Sequence, residues 1–456
     1  MGLTAADFGV VGLGVMGRNL ALNIAEHGFR PVVYDRDPEV AAAVPGQNVA
    51  TLGALAEALA RPRRILLMVK AGQPVDDVID SLRAHLEPGD VIIDGGNSHW
   101  MDTPRRAEAL ADDGIMLLGA GISGGEEGAR HGPAIMVGGD ARAWQIVAPV
   151  LRAIAADVGG EPCCGRFGPG GVGHFVKIVH NGIEYAVMQA IAETWIMLRD
   201  LAGLEAAEAS AVFARWNDGP LGSYLMEITA DILATPDTLA DGALIDKVDD
   251  VAGHKDTGRW TGEAAMALGV ATPVLLAGFF ARGISADIAV RAAAHHSAVG
   301  AADVALDDLQ AALGATVIMA YGEGFRLLQA ASRAHDWGLD LATVARVWRG
   351  GCILRARLLE PIAEAYEASP DLSFLAAAMA RAIAKAENGW RRTVTLAVGH
   401  GVSLPAMSAA LAAYDALRAP SLWTSLVQAQ RDRFGAHGYR RRDREGDFHS
   451  AWTGDD

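Results

Sequence analysis

Cysteine is nearly absent from this chain: there are three in 456 residues, and two of them, Cys163 and Cys164, are adjacent. Three cysteines build neither a disulfide framework nor a spaced zinc motif, so a reducing, cytoplasmic setting is expected. Long apolar runs are missing too. Although 51% of the residues are hydrophobic, no unbroken stretch approaches the roughly 18 residues of a membrane span. The opening MGLTAADFGVVG has no basic stretch ahead of its apolar residues, so it does not read as a secretory leader. Ala6 breaks the myristoylation pattern. Positive charge is scarce: 39 Lys and Arg against 55 Asp and Glu leave a net −16. That balance argues against nucleic acid as a partner, as the missing span argues against a membrane. An anionic ligand would need a basic pocket set into an acidic protein. What is present is apolar mass for a sizeable core, and a length that calls for two or three domains.

The segment FGVVGLGVMGRNLALNIAEHGFRPVVYDRD reads as strand, glycine turn, helix, strand. Gly12, Gly14 and Gly17 form GxGxxG directly after the apolar run Phe8–Val11. The first glycine allows a tight turn, the second lets the backbone approach a pyrophosphate, and the third lets helix and strand pack closely. Leu13, Val15 and Met16 complete the loop and helix start, where unpaired N–H groups and the helix dipole favour anions. The next strand, Val32–Tyr34, ends at Asp35, near the spacing of a ribose-binding acid. Further units follow. RRILLMVKAG gives a strand ending at Val69–Lys70, with Ala71 behind it; DVIIDGGNS gives Val91–Asp94 and the loop Gly95–Ser98. IMLLGAGISGGEEGARHGP gives another strand and a second glycine-rich loop. Strands alternating with helices predict a parallel, doubly wound, Rossmann-like α/β sheet. Ligands bind beyond the carboxyl ends of such strands, and Lys70, Asn97 and Ser123–Gly124–Gly125 fall on that edge.

Beyond a glycine–proline hinge at Gly165–Gly173, helical patterns dominate to about Ala419. The first of them, GHFVKIVHNGIEY, is unusual. At about 100° per residue, Lys177, Asn181 and Glu184 fall within roughly a 40° arc, with His180 beside them. Phe175, Val176, Ile178, Val179, Ile183 and Val187 cover the rest of the circumference. Lys and Glu are rarely fully buried unless paired. The stripe is therefore an internal ion pair or solvated seam, or else it lines a wet, ligand-sized cleft between domains. A faint repeat pairs Met188–Ala190 with Leu328–Ala330, and Gly203–Leu204–Glu205 with Gly338–Leu339–Asp340. In the register of the first pair Lys177, Asn181 and Glu184 meet Val317, Tyr321 and Gly324, so a second copy would be scaffold only. The last segment is highly charged, with Phe434, Tyr439, Phe448 and Trp452 as anchors. The expected division is a dinucleotide-binding domain over 1–172, an all-helical substrate and dimerisation domain over 173–428, and a tail over 429–456.

In order along the chain, GLGVMGRNLALN, VKAG, IDGGNS, GISGGEEGARHGP, GHFVKIVHNGIEY, GHKDTGRWT and QAQRDRFGAH resemble the decarboxylating 6-phosphogluconate dehydrogenase family, within the β-hydroxyacid dehydrogenases. The resemblance implies a cytosolic homodimer with a Rossmann domain, a large helical domain and a tail that enters the partner subunit. It implies oxidative decarboxylation of 6-phosphogluconate to ribulose 5-phosphate and CO2 with NAD or NADP. No Asp/His cluster has metal-site spacing, so a metal-free reaction is expected. By motif position Lys177 would be the general base and Glu184 the general acid. His180, Asn181 and Tyr185 would hold the substrate, with Asn97, Ser123, Gly124 and Gly125. Its phosphate would meet Lys255, Arg282 and, from the partner subunit, Arg431 and His437. The cofactor would meet the glycine loop, Asp35–Arg36–Asp37, Val69–Lys70–Ala71 and Asn97.

Three positions depart from the family pattern. Asp256 stands where glycine is usual, beside Lys255, and Gly170 replaces an acid; both bear on substrate affinity. Asp35 and Asp37 flank Arg36 where neutral residues are common. An acid there accepts from the ribose hydroxyls and repels a 2′-phosphate, whereas an arginine stacks on adenine or pairs with that phosphate. The expectation is a modest preference for NAD with NADP as a secondary cofactor. Two other functions compete. A dehydrogenase of a small β-hydroxy acid would need no phosphate pocket, and Arg282, Arg431 and His437 argue against it. An inactive NAD(P)-binding dimer would need neither Lys177 nor Glu184.

Overall fold

The computed structural model describes residues 5–44, 47–294, 300–371 and 377–452. Its front half is an eight-stranded sheet. Strands β1 Phe8–Val11, β2 Pro31–Tyr34, β3 Gln47–Asn48, β4 Arg64–Leu67, β5 Val91–Asp94, β6 Met116–Ile122, β7 Ile135–Gly139 and β8 Cys164–Arg166 stand in the order β8-β7-β6-β5-β4-β1-β2-β3. The short apolar runs of β1 and β5 are buried throughout, as strands covered on both faces by helices must be. The order reverses at β1, so the loop leading into helix α1 (Val15–Glu26) opens at the switch point of the sheet.

The sheet is not wholly parallel, which corrects the expectation from sequence. β7 runs antiparallel to β6, and β8 runs parallel to β7. The link between β6 and β7 holds only the short helix α2 (Gly125–His131), which packs on α1. The fourth strand also stops earlier than expected, at Leu67, leaving Met68–Gly72 as loop. The expected hinge begins inside β8 and ends inside the next helix.

That helix, α3 (Val172–Ile196), is 25 residues long and lies directly on β6 and β7. Glycine makes the approach possible: a Cβ on Gly121 would collide with the Lys177 side chain. Next come α4 (Asp256–Ala267), α5 (Pro273–Ala286), the long α6 (Leu306–Ala334), α7 (Pro405–Arg418) and α8 (Thr424–Gly435). Among the described residues from α3 to α8 there are isolated bridges but no strands, and no helix is long and apolar enough to cross a membrane.

The helical half contains two similar runs of helices. After α3 come helices Ala206–Asn217 and Tyr224–Ala234, then α4, α5 and the short Ile288–Ala293; after α6 come Leu341–Val347, Leu359–Ala368, Ala377–Gly399 and α7. Each long helix caps a helix of the other half. Glu323 on α6 accepts from the N–H groups of Val274 and Leu275 at the start of α5, at 2.9–3.1 Å. Glu193 on α3 accepts from Ala406 and Met407 at the start of α7, at 2.7 and 2.9 Å. Pairing these glutamates sets Asp307, Ala311 and Gly314 against Lys177, Asn181 and Glu184, a different register from the one read in sequence. In both registers the second half lacks the lysine and the glutamate. The tail folds around Asp432, which accepts from Gly438, His449, Ser450 and Trp452.

Candidate active site

A cavity of about 760 Å³ lies between the carboxyl edge of the sheet and α3. The sheet side contributes Gly14–Gly17, Met68–Val69, Gly95–Asn97 and Ile122–Gly125. Facing them on α3 are Lys177, Asn181, Glu184 and Tyr185, so the narrow polar stripe is indeed a cavity wall. Gly253–Lys255 and Thr257 at the start of α4, Arg282 on α5, and Ile353 close the remainder.

Lys177 is buried, and its Nζ donates to Ser123 Oγ at 2.9 Å. Ser123 Oγ is also 3.4 Å from His180 Nε2. His180 Nδ1 lies 3.1 Å from Asn181 Oδ1 and 3.7 Å from Glu184 Oε2. Asn181 Nδ2 donates to Thr257 Oγ1 at 3.0 Å, tying α3 to α4. A polar path thus runs from Lys177 through Ser123 and His180 to Glu184. Burial lowers the Lys177 pKa; the Glu184 carboxylate and Cys352 oppose this, and Lys255 adds to it. Burial raises Glu184 against the pull of Lys177, Arg282 and Lys255. Burial and then the Lys177 charge hold His180 well below its ordinary value, so it is a neutral ring. On one wall, then, burial favours the neutral form of a lysine and the neutral form of a glutamate, the directions that suit a base and an acid.

The other end of the cavity is cationic. The Arg282 guanidinium carbon lies 3.4 Å from the centre of the Tyr185 ring, and the side chain donates to Gly253 O at 3.0 Å. Tyr185 OH accepts from the Lys255 N–H at 3.0 Å. Asp256, the first departure, is exposed and pairs with Arg259 at 3.1 Å. Gly170, the second, has φ +58°, a conformation that glycine adopts without strain.

The amino end of α1 fits a dinucleotide. Gly14 provides no side-chain cap, and a Cβ placed on it would meet nothing within 4 Å. Uncapped N–H groups beside open space are what a pyrophosphate needs. Gly12 holds φ +89°, and a Cβ on Gly17 would collide with the Gly12 carbonyl. Asp35 accepts from the Leu13 N–H at 2.7 Å and from the Asp37 N–H at 3.0 Å, so its carboxylate braces the glycine loop. Asp37 in turn accepts from Glu39 N–H at 3.0 Å and caps the helix Pro38–Ala42, while Arg36 is exposed.

Not every residue named from sequence reaches the cavity wall. Gly12, Leu13, Asp35, Arg36, Asp37, Lys70 and Ala71 lie outside it, and His180 stands behind it. Arg431 and His437 are exposed on the tail and do not line the cavity of their own chain. Conversely, His254, Thr257 and Ile353 line the cavity without having been singled out. The first two sit in GHKDTGRWT, which was a usable signal; nothing in the spacing around Ile353 marked it.

Residues 7–168 match the NAD binding domain of 6-phosphogluconate dehydrogenase, and residues 173–452 match the family described as 6-phosphogluconate dehydrogenase, C-terminal domain. The decarboxylating 6-phosphogluconate dehydrogenase of Synechococcus elongatus is 46% identical over 98% of this chain and 99% of its own length. The NADP(+)-dependent, decarboxylating enzyme of Bacillus subtilis is 44% identical over 99% of this chain and 100% of its own. Among solved structures, Plasmodium falciparum 6-phosphogluconate dehydrogenase, described in apo form and in complexes with NADP+ and with 6-phosphogluconate, matches with TM-score 0.93 and 38% identity over 98% of this chain and 100% of that one. With both halves matched and relatives this similar along their full length, the chain belongs to the 6-phosphogluconate dehydrogenase family.

Proposed function

We propose that the protein converts 6-phosphogluconate to ribulose 5-phosphate and CO2 with reduction of a nicotinamide dinucleotide, with Lys177 as general base and Glu184 as general acid. The observation that carries this reading is the pairing on one cavity wall of a buried lysine and a glutamate, the lysine's pKa lowered and the glutamate's raised by burial. Bound NAD or NADP supplies the acceptor for the two electrons that leave C3. Lys177, neutral, takes the C3 hydroxyl proton. The resulting 3-keto acid loses CO2 because its carbonyl accepts the electron pair, and Lys177 returns its proton to that oxygen. Glu184 then gives its proton to C1 of the five-carbon enediol while Lys177, neutral again, takes the C2 hydroxyl proton, which leaves the ketone of ribulose 5-phosphate. His180, neutral and held by Asn181, cannot compete with Lys177 as a charged group.

Asn97, Ser123, Gly124, Gly125, His180, Asn181 and Tyr185 hold the sugar acid in this reading, and Lys255 and Arg282 take its phosphate. Arg431 and His437 of the partner subunit would complete that phosphate site in a homodimer. Their exposure outside the wall of their own cavity supports this, as do Trp423 at 67% and Phe434 at 75% exposed beside them. Asp35 and Asp37 place negative charge at the ribose end, so NAD is modestly preferred and NADP is secondary. The NADP dependence named for the Bacillus subtilis relative is the opposite behaviour.

Initial rates with 6-phosphogluconate and each dinucleotide test the proposal. Equimolar CO2 and reduced nicotinamide are expected, and no turnover with either cofactor would end it. An NADP preference above about tenfold, roughly 1.4 kcal/mol, would show Arg36 outweighing both aspartates.

A further inference from the structure

Arg106, on the helix Asp102–Ala111, is among the largest fully buried side chains and lies outside the cavity wall. A guanidinium out of water must place its N–H donors, and this one does so on groups that belong to the site. Nε donates to Asp76 Oδ1 at 2.9 Å, and one terminal nitrogen donates to Asp76 Oδ2 at 3.3 Å and to the Gly72 carbonyl at 3.0 Å. The other donates to Asp94 Oδ2 at 2.9 Å and to Ser98 Oγ at 3.3 Å. Gly72 closes the loop after β4, whose Met68 and Val69 line the cavity. Ser98 closes the loop after β5, whose Gly95–Asn97 line it too. Asp94 also accepts from the Gly96 N–H at 3.2 Å, and its Oδ2 stands 3.7 Å from Nε2 of His174, one turn ahead of Lys177 on α3.

One buried cation thus ties together two cavity loops, and its partner Asp94 faces the helix that carries Lys177. The open amino end at Gly14 marks the pyrophosphate position, and Asp35 lies to one side of it, beyond β2. The two loops lie to the other side, next to Lys177, where the redox end of the dinucleotide belongs. We infer that Arg106 is a positioning residue: it sets the spacing of the Met68–Gly72 and Gly95–Ser98 loops against α3 without touching substrate or dinucleotide. The inference rests on the proposed reaction for its kinetic consequence alone. Lysine cannot replace this fork, because its single ammonium reaches fewer acceptors in a fixed geometry.

The test compares wild type with Arg106→Lys, measuring NADP dissociation by calorimetry without substrate, kcat per folded molecule, and amide exchange at Gly95–Ser98. Arg106→Lys is expected to weaken NADP binding by about tenfold, to lower kcat by about tenfold or more, and to speed exchange in the loop, since misplacement of reacting groups by about 1 Å costs on the order of 100-fold. A folded Arg106→Lys protein with NADP affinity and loop exchange within about threefold of wild type would overturn the inference. If that variant does not fold, Asp94→Asn, which keeps shape and removes the charge, is judged by the same criteria. A wild type that binds NADP but does not turn over would defeat the proposed reaction, and the binding and exchange arms would still decide on Arg106.

Discussion

Lys177 and Glu184 are charged groups placed where charge is costly. Each pKa unit of displacement is about 1.4 kcal/mol of preference for the neutral form, and both are displaced that way. The direction sets the pH response. In the proposed reaction Lys177 must be neutral, so activity is expected to rise with pH through its lowered pKa; Glu184 must be protonated, so activity is expected to fall as pH climbs through its raised one. Glu184→Gln keeps the shape and removes the proton. It should lower kcat by about 100-fold or more and abolish the alkaline fall in what remains; a steady-state kcat within about tenfold of wild type would remove Glu184 from the acid role. At the dinucleotide end, Asp35 braces the glycine loop through Leu13 and Asp37, and in the proposed reading it also repels a 2′-phosphate. Asp35→Asn should weaken both cofactors while moving the NADP/NAD ratio of kcat/KM upward by on the order of tenfold. An unchanged ratio would mean that the charge of Asp35 does not set the choice.

At the scale of elements, the site depends on helices held at their ends. Burial raises Glu323 to about 8 against the pull of its hydrogen bonds from Leu275 and Val274. The folded state therefore keeps this proton more tightly than the unfolded chain, where glutamate titrates near about 4.3. The stability so contributed is complete below that value and is lost as pH rises through about 8. Glu323→Ala leaves the start of α5 buried without acceptors, at a cost of about 1–3 kcal/mol, and α5 carries Arg282. Lower Tm together with a raised KM for 6-phosphogluconate is expected; a Tm equal to wild type would show that the cap contributes nothing. Much of this layer was hidden from sequence. The stripe on α3 was legible because helix period alone places Lys177, Asn181 and Glu184 together, and the glycine loop because its spacing carries its own mechanics. The bond from Lys177 to Ser123 joins residues 54 apart, and no local pattern announces it. Arg106 sits in MDTPRRAEAL, which reads as an ordinary surface helix, and only packing buries it. The direction of β7 was equally silent, since a buried apolar run reads alike both ways.

On the scale of the whole molecule, the cavity lies between two unlike halves, and Arg431 and His437 on the tail do not line it; in the proposed reading the tail serves a second copy. If it does, deletion after Gln430 removes activity. Lys177→Met and Arg431→Ala chains, each inactive alone, should then recover one good site per heterodimer; verified heterodimers with no recovery would mean that each site is built from one chain. The central claim is that this cavity works through Lys177, and the most direct measurement is turnover and substrate binding of Lys177→Met beside wild type. The account predicts that 6-phosphogluconate still binds while kcat falls by about 100-fold or more. A Lys177→Met protein that keeps more than about a tenth of wild-type turnover would contradict it.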